Sequence, residues 1–308
     1  MHAPLPAAIS PNRRALALPE LGRLLSLAAA IALVRPDLLT ALLWFALLVL
    51  VPAAARLGPS IVGERPLRRL LTGWPALLAA LGVIAASALP TGWPAGLLAA
   101  PWLVIAAVWA GLAALRLTRF PRQTIVENAL DVAALLMLVG AAWVVLDRLA
   151  WRFSFDAEIV RLTGIHFHYA GFVLPTLAAC AAKRRPGILT SAILVAALGG
   201  FGLVAIGITF SPAAEVVGAA AMVVACGALA VVQIQTGIAT RRPEIFAPLA
   251  LSSAALVAAM ALAAVYARGE YSGQKWIDIP TMIATHGLAN AVGFAGAGLL
   301  GWTRLVGS

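Results

Sequence analysis

Apolar runs separated by short breaks rich in Arg, Pro and Gly fill the chain from about residue 18 to residue 303. About 20 apolar residues suffice for a helix to cross the hydrocarbon of a bilayer. Runs close to that length are predicted at 18–34, 37–56, 70–90, 96–116, 124–147, 158–182, 186–209, 212–238, 245–267 and 278–303. The shorter alternating segments of a membrane β-barrel do not occur. The expected fold is therefore all-α, a polytopic transmembrane helix bundle of nine or ten spans. The first run is the weakest, because its clean apolar core is only Leu24–Val34. It is expected as a retained helix, with a half-span helix or a signal peptide as the competing readings, since Arg13, Arg14 and Arg23 precede or open it. Pro36 in "VRPD" then stops the helix and turns the chain into the second run. No loop has room for a soluble domain. The expected organisation is a cytoplasmic tail over 1–17, one transmembrane domain over 18–303 and a cytoplasmic tail over 304–308.

Composition places these runs in lipid. Of 308 residues, 62% are hydrophobic and 11% charged, with a mean hydropathy of +0.97. Soluble domains carry about a quarter charged residues. The net charge of +10 does not point to nucleic acid, because the basic residues sit at the ends of apolar runs. There they orient helices and meet anionic lipid. With the N-terminus in the cytoplasm, sixteen of the 22 Lys and Arg residues fall in inside segments. Six fall outside: Arg35, Arg148, Arg152, Arg161, Arg268 and Lys275. This bias predicts that both termini are cytoplasmic.

Small residues at fourfold spacing in the last run (Gly293, Ala297, Gly301) predict close helix packing. Trp74, Trp93, Trp102, Trp151, Trp276 and Trp302 lie near run ends and are expected to form an interfacial belt. Cys180 and Cys226 lack a paired spacing and are expected as apolar packing.

Ionisable groups at membrane depth are costly and are candidates for function. His166 and His168 follow the predicted outer end of their run by a few residues, roughly 7–11 Å deep at 1.5 Å per residue. His286 lies about 12 Å past Asp278 by the same rise. Three histidines from two distant parts of the chain thus share one depth. Asn290, one turn after His286, and Tyr169, three residues after His166, are placed to orient an imidazole or a polar ligand. Three imidazoles can hold a divalent metal, zinc or iron, with an open position for water. Metal-free acid–base or substrate-binding histidines, and purely structural ones, are the alternatives. Residues two apart on a helix point about 200° from each other, which opposes joint use of His166 and His168 unless the helix opens near Gly164. On the inner side, Glu127 and Asp131 share a helix face, with Arg122 a candidate partner for Asp131. Asp147 beside Arg148 and Glu215 after "SPAA" are expected as an interfacial charge and a helix-start residue.

The segments "HFHYAGF" (His166, Phe167, Tyr169, Ala170, Gly171, Phe172) and "THGLANAVGF" (Thr285, His286, Gly287, Asn290, Gly293, Phe294) resemble the YndJ-like family of bacterial multi-pass membrane proteins. The resemblance implies a bacterial cytoplasmic membrane location and the position of a site, and no reaction. Three functions fit: a membrane-embedded, metal-dependent enzyme acting on a lipid or isoprenoid-like amphipathic substrate; a transporter or channel using the same residues as a pathway; and a non-catalytic scaffold. Membrane lipids and an amphipathic small molecule are the expected partners. A transporter also needs inner-half polar groups, for which Glu127, Asp131, Gln233 and Gln235 are available.

Overall fold

The computed structural model describes residues 13–57, 65–119 and 124–307; residues 1–12 of the predicted tail and Arg122 lie outside these. Every regular element among the described residues is helical: α1 Arg13–Val34, α2 Leu38–Leu57, α3 Arg65–Thr72, α4 Trp74–Ser87, α5 Trp93–Arg119, α6 Ile125–Arg148, α7 Ala157–Arg184, α8 Ile188–Phe210, α9 Pro212–Thr240, α10 Pro243–Ser272 and α11 Ile279–Val306. Residues 13–17, expected as tail, belong to α1.

Eight of these helices are long and apolar enough to cross a membrane. The two expected spans that fall short are the apolar part of α1, Gly22–Val34, and α4. The second is short for a local reason. Gly73 breaks the helix, Pro75 restarts it in its first turn, and Pro90 lies just beyond its end. A Cβ on Gly73 would lie 2.5 Å from the Arg69 carbonyl oxygen, so this break needs glycine. The carbonyls it exposes have no water to turn to inside a bilayer. Arg23 of α1 satisfies them: its guanidinium, 4% exposed, donates to the carbonyls of Thr72 and Gly73 at 3.0 Å and of Leu48 at 3.2 Å.

Consecutive long helices pack as hairpins, with α8 on α9, α9 on α10 and α5 on α6. The central helix is α7, 78% buried along its most apolar stretch, whereas α8 is 33% buried and peripheral. The α10–α11 contact uses the small-residue stripe as expected. A side chain on Gly293 would collide with Ala255, and one on Gly301 with Leu249. Cys180 and Cys226 are buried and free.

The tryptophan belt needs correction. Trp74, Trp93, Trp151 and Trp276 are exposed, but Trp102 and Trp302 are core residues. Burial of an indole is favourable when its N–H finds an acceptor. Trp102 donates to His168 and Trp302 to the Gln233 side-chain oxygen at 3.2 Å.

Three helices widen into π turns: Ala46–Leu50 in α2, Tyr169–Val173 in α7, and Ile283–Gly287 with Ala289–Gly296 in α11. The π segment of α11 packs on those of both α2 and α7. Such turns leave carbonyls open to side-chain donors and often mark functional positions. Here Leu48 O accepts from Arg23, and Phe294 O accepts from Ser252 at 2.9 Å.

Candidate functional site

The cluster of π turns adjoins the predicted histidines. His166 and His286 come together from α7 and α11, their rings 6.4 Å apart between centroids and inclined by 23°. His168 does not join them. It is fully buried on the opposite side of α7, against α5 and α6. The 200° offset of positions i and i+2 prevails because the helix is still α-helical through His168 and opens only from Tyr169.

Hydrogen bonds define the tautomers of His168 and His286, since a carbonyl can only accept and an indole or amide N–H can only donate. His168 Nδ1–H donates to Gly164 O at 2.7 Å, and its Nε2 accepts from Trp102 Nε1 at 3.0 Å. Both nitrogens are used, and the ring lies against Gly140, where even a Cβ would come within 2.9 Å of Nδ1. His286 Nδ1–H donates to Ala259 O on α10 at 2.8 Å, and its Nε2 accepts from Asn290 Nδ2 at 2.9 Å. Its nitrogens are also both used. His166 Nδ1–H donates to Leu162 O at 2.9 Å, one turn back. Its Nε2 has no hydrogen-bond partner among the described residues, and the residue is exposed at the edge of the bundle. Asn290 Oδ1 likewise has no donor among them.

Each sequence candidate therefore has a distinct place. His166 offers a free imidazole nitrogen. His286 is a neutral, fixed ring that forms one wall, and Asn290 both fixes it and offers a carbonyl. Tyr169 is committed to the scaffold, its hydroxyl donating to Leu42 O at 2.9 Å and so tying the α7 π turn to α2. His168 anchors α7 to α5. The expected three-histidine ligand set is not assembled by these orientations. Among the described residues no group of three or more His, Cys, Asp or Glu side chains is placed to hold a metal ion.

The inner-half polar groups have partners too, except the Gln233 amide nitrogen, which is buried without one. Asp131, 2% exposed, is paired with Arg116 of α5, whose Nε lies 3.0 Å from Oδ1 and 3.2 Å from Oδ2. Glu127 and Thr124 form a reciprocal cap at the start of α6. Gln233 Oε1 is held by Trp302 and, at 3.4 Å, Ser252, while Gln235 accepts from Arg185 at 2.8 Å. At the other end, Asp147 pairs with Arg148 at 2.6 Å, as expected of an interfacial charge, and Glu215 stands in the first turn of α9. The partners Trp102, Ala259 O and Arg116 were not legible in the sequence. Trp102 was legible only as a tryptophan near a run end, which pointed to the interface and not to His168.

A membrane protein from Bacillus subtilis (strain 168), described as uncharacterized membrane protein YndJ, is 29% identical to the chain over 151 residues. The match covers 48% of this chain and 27% of that protein, so the chain spans well under two thirds of its relative. No solved structure matches. The family model described as YndJ-like protein matches residues 41–294, which include most of α2, the site helix α7 and the His286–Asn290 turn. The chain therefore belongs to the YndJ-like family of membrane proteins.

Proposed function

We propose that the protein is a cytoplasmic-membrane enzyme of bacteria that acts on the polar head of an amphipathic, lipid- or isoprenoid-like molecule in the outer half of the bilayer. The observation that carries this reading is the free Nε2 of His166, presented at the bundle edge beside a fixed, neutral His286. A ring nitrogen left with an unmet valence at the exposed edge of the bundle is the group available for proton transfer, and histidine performs this near neutral pH. His166 is the acid–base residue, Asn290 Oδ1 orients the head group, and His286 with Ala259 O keeps Asn290 in place. The reading needs no metal, since His168 and His286 have committed both ring nitrogens and His166 Nε2 acts alone. The enzyme reading is preferred to transport because the inner-half groups a pathway would need are engaged elsewhere: Asp131 with Arg116, and the side-chain oxygens of Gln233 and Gln235 with Trp302 and Arg185. The charge bias of the loops supports cytoplasmic termini and hence the outer placement of the site.

Mass spectrometry of amphiphiles retained by protein purified in native lipid tests the reading, with His166→Ala and His168→Gln compared. An amphiphile retained by the parent and His168→Gln but lost from folded His166→Ala is the expected result. Retention that is unchanged in His166→Ala contradicts it.

A further inference from the structure

Four helix ends meet on the side of the bundle expected to face outward: the start of α2, the end of α4 at Ser87, the end of α6 at Asp147 and Arg148, and the start of α7. A cavity lies between them, lined by Arg148, Arg161, Asp147, Thr40 and Ser87, with leucine, valine and isoleucine side chains making up the rest. Its volume is about 20 Å³, room for one or two water-sized groups and too little for a hydrocarbon chain. An occupant therefore brings a small polar head and leaves any apolar part outside.

The lining holds two cations and one anion. Asp147 is spent on Arg148, its Oδ2 accepting from Nε at 2.9 Å and from Nη2 at 2.6 Å. Arg161 is tied through Nη2 alone, to the two Asp37 oxygens at 2.6 and 2.7 Å and to Thr40 at 2.8 Å. Asp37 is exposed and stands outside the lining. Among the described residues, Nη1 of Arg148 and both Nε and Nη1 of Arg161 donate to nothing. The two side chains are only 15% and 27% exposed, so these N–H groups have limited access to water. A guanidinium held away from water calls for acceptors on its remaining N–H groups.

We propose that this cavity binds a phosphate group, whose oxygens bridge the guanidiniums of Arg148 and Arg161. Phosphate oxygens accept from a planar guanidinium two N–H groups at a time, and the positive excess of the lining favours an anion. A hydroxyl head matches the donors without matching the charge, and an ammonium matches neither. The proposal does not rest on the reading of His166. Arg161 and Ile165, one turn apart on α7, face α2, α4 and α6 across this cavity, whereas the His166 ring stands against His286 of α11.

Dodecyl phosphate, inorganic phosphate and dodecanol are titrated against the full chain in dodecyl maltoside, a detergent without phosphate, and native mass spectrometry counts the adducts. Dodecyl phosphate is expected to bind once per chain, roughly tenfold or more tighter than dodecanol. Asp37→Asn combined with Arg161→Gln removes one guanidinium without stranding a carboxylate, and asparagine still caps α2. This double variant should bind dodecyl phosphate roughly tenfold or more weakly than the parent. Lys275→Gln, which removes a basic residue outside the cavity, should bind as the parent does. Arg148→Lys keeps a charge opposite Asp147 and loses the planar fork, so it decides the matter by the same weakening if the double variant does not fold. Inorganic phosphate bound as tightly as dodecyl phosphate supports the site with free phosphate as its ligand; binding of dodecyl phosphate alone supports it with a lipid head group. Dodecanol bound as tightly as dodecyl phosphate, undiminished binding in the folded cavity variant, or equal weakening by Lys275→Gln overturns the proposal.

Discussion

Each of the three histidines donates from Nδ1 to a backbone carbonyl, so what separates them is the partner of Nε2. Trp102 takes it in His168, Asn290 takes it in His286, and His166 is left with an accessible lone pair. This makes the three substitutions unequal. In Trp102→Phe the buried Nε2 of His168 loses its donor, and an unsatisfied buried group costs about 1–3 kcal/mol. Thermal unfolding in detergent should show that loss for Trp102→Phe and little change for His166→Ala. Equal losses in both would contradict the division of roles. Much of this pairing could not be read from the sequence. The common depth of His166 and His286 followed from counting residues from helix ends, and the separation of His168 followed from helical periodicity. The partners Trp102 and Ala259 O depend on which helices are neighbours, which residue spacing within one run does not encode.

Helices are joined at both ends of the bundle by a few polar contacts. Asp37 caps α2 through Thr40 and binds Arg161 of α7 at 2.6 Å. Partial burial pushes the Asp37 carboxyl up, but the hydrogen bonds of Arg161 and Thr40 together outweigh it and hold it below its ordinary value of 3.8. A carboxyl whose folded value is depressed contributes stability that is present above the unfolded value and lost as pH falls through the folded one. Stability should therefore be independent of Asp37 above about pH 5 and decline below about pH 4, and Asp37→Asn should flatten that decline. A decline of the same size in Asp37→Asn assigns it to other groups. The guanidinium of Arg23 is the equivalent tie for the broken helix α3–α4. Arg23→Met frees buried carbonyls, each worth about 1–3 kcal/mol, so its melting temperature should fall well below that of Ser26→Ala on the same helix. The sequence marked Arg23 as one of the basic residues leading into a weak hydrophobic run. Its role depends on Gly73, fifty positions away, and no local pattern links the two.

For the whole molecule, hydrophobic length alone made the all-α membrane bundle legible, because lipid permits few other ways to satisfy a backbone. The shortness of α4 was missed for the same reason, whereas the first run was already marked as the weakest. Run length counts apolar residues and ignores a glycine break such as Gly73, or a helix such as α1 whose inner part carries an arginine into the core. The charge bias predicts orientation, and that prediction is checked with a membrane-impermeant thiol reagent on intact cells. Lys275→Cys should be labelled and Arg304→Cys should not; the reverse pattern inverts the molecule and moves the site to the cytoplasmic half. Packing as a whole also protects two of the three site histidines and leaves one open. Diethyl pyrocarbonate attacks an unprotonated, accessible imidazole nitrogen, and peptide mass spectrometry locates the adduct. The folded protein should be modified at His166 many times faster than at His168 or His286. Comparable rates at all three, or protection of His166, would contradict the site.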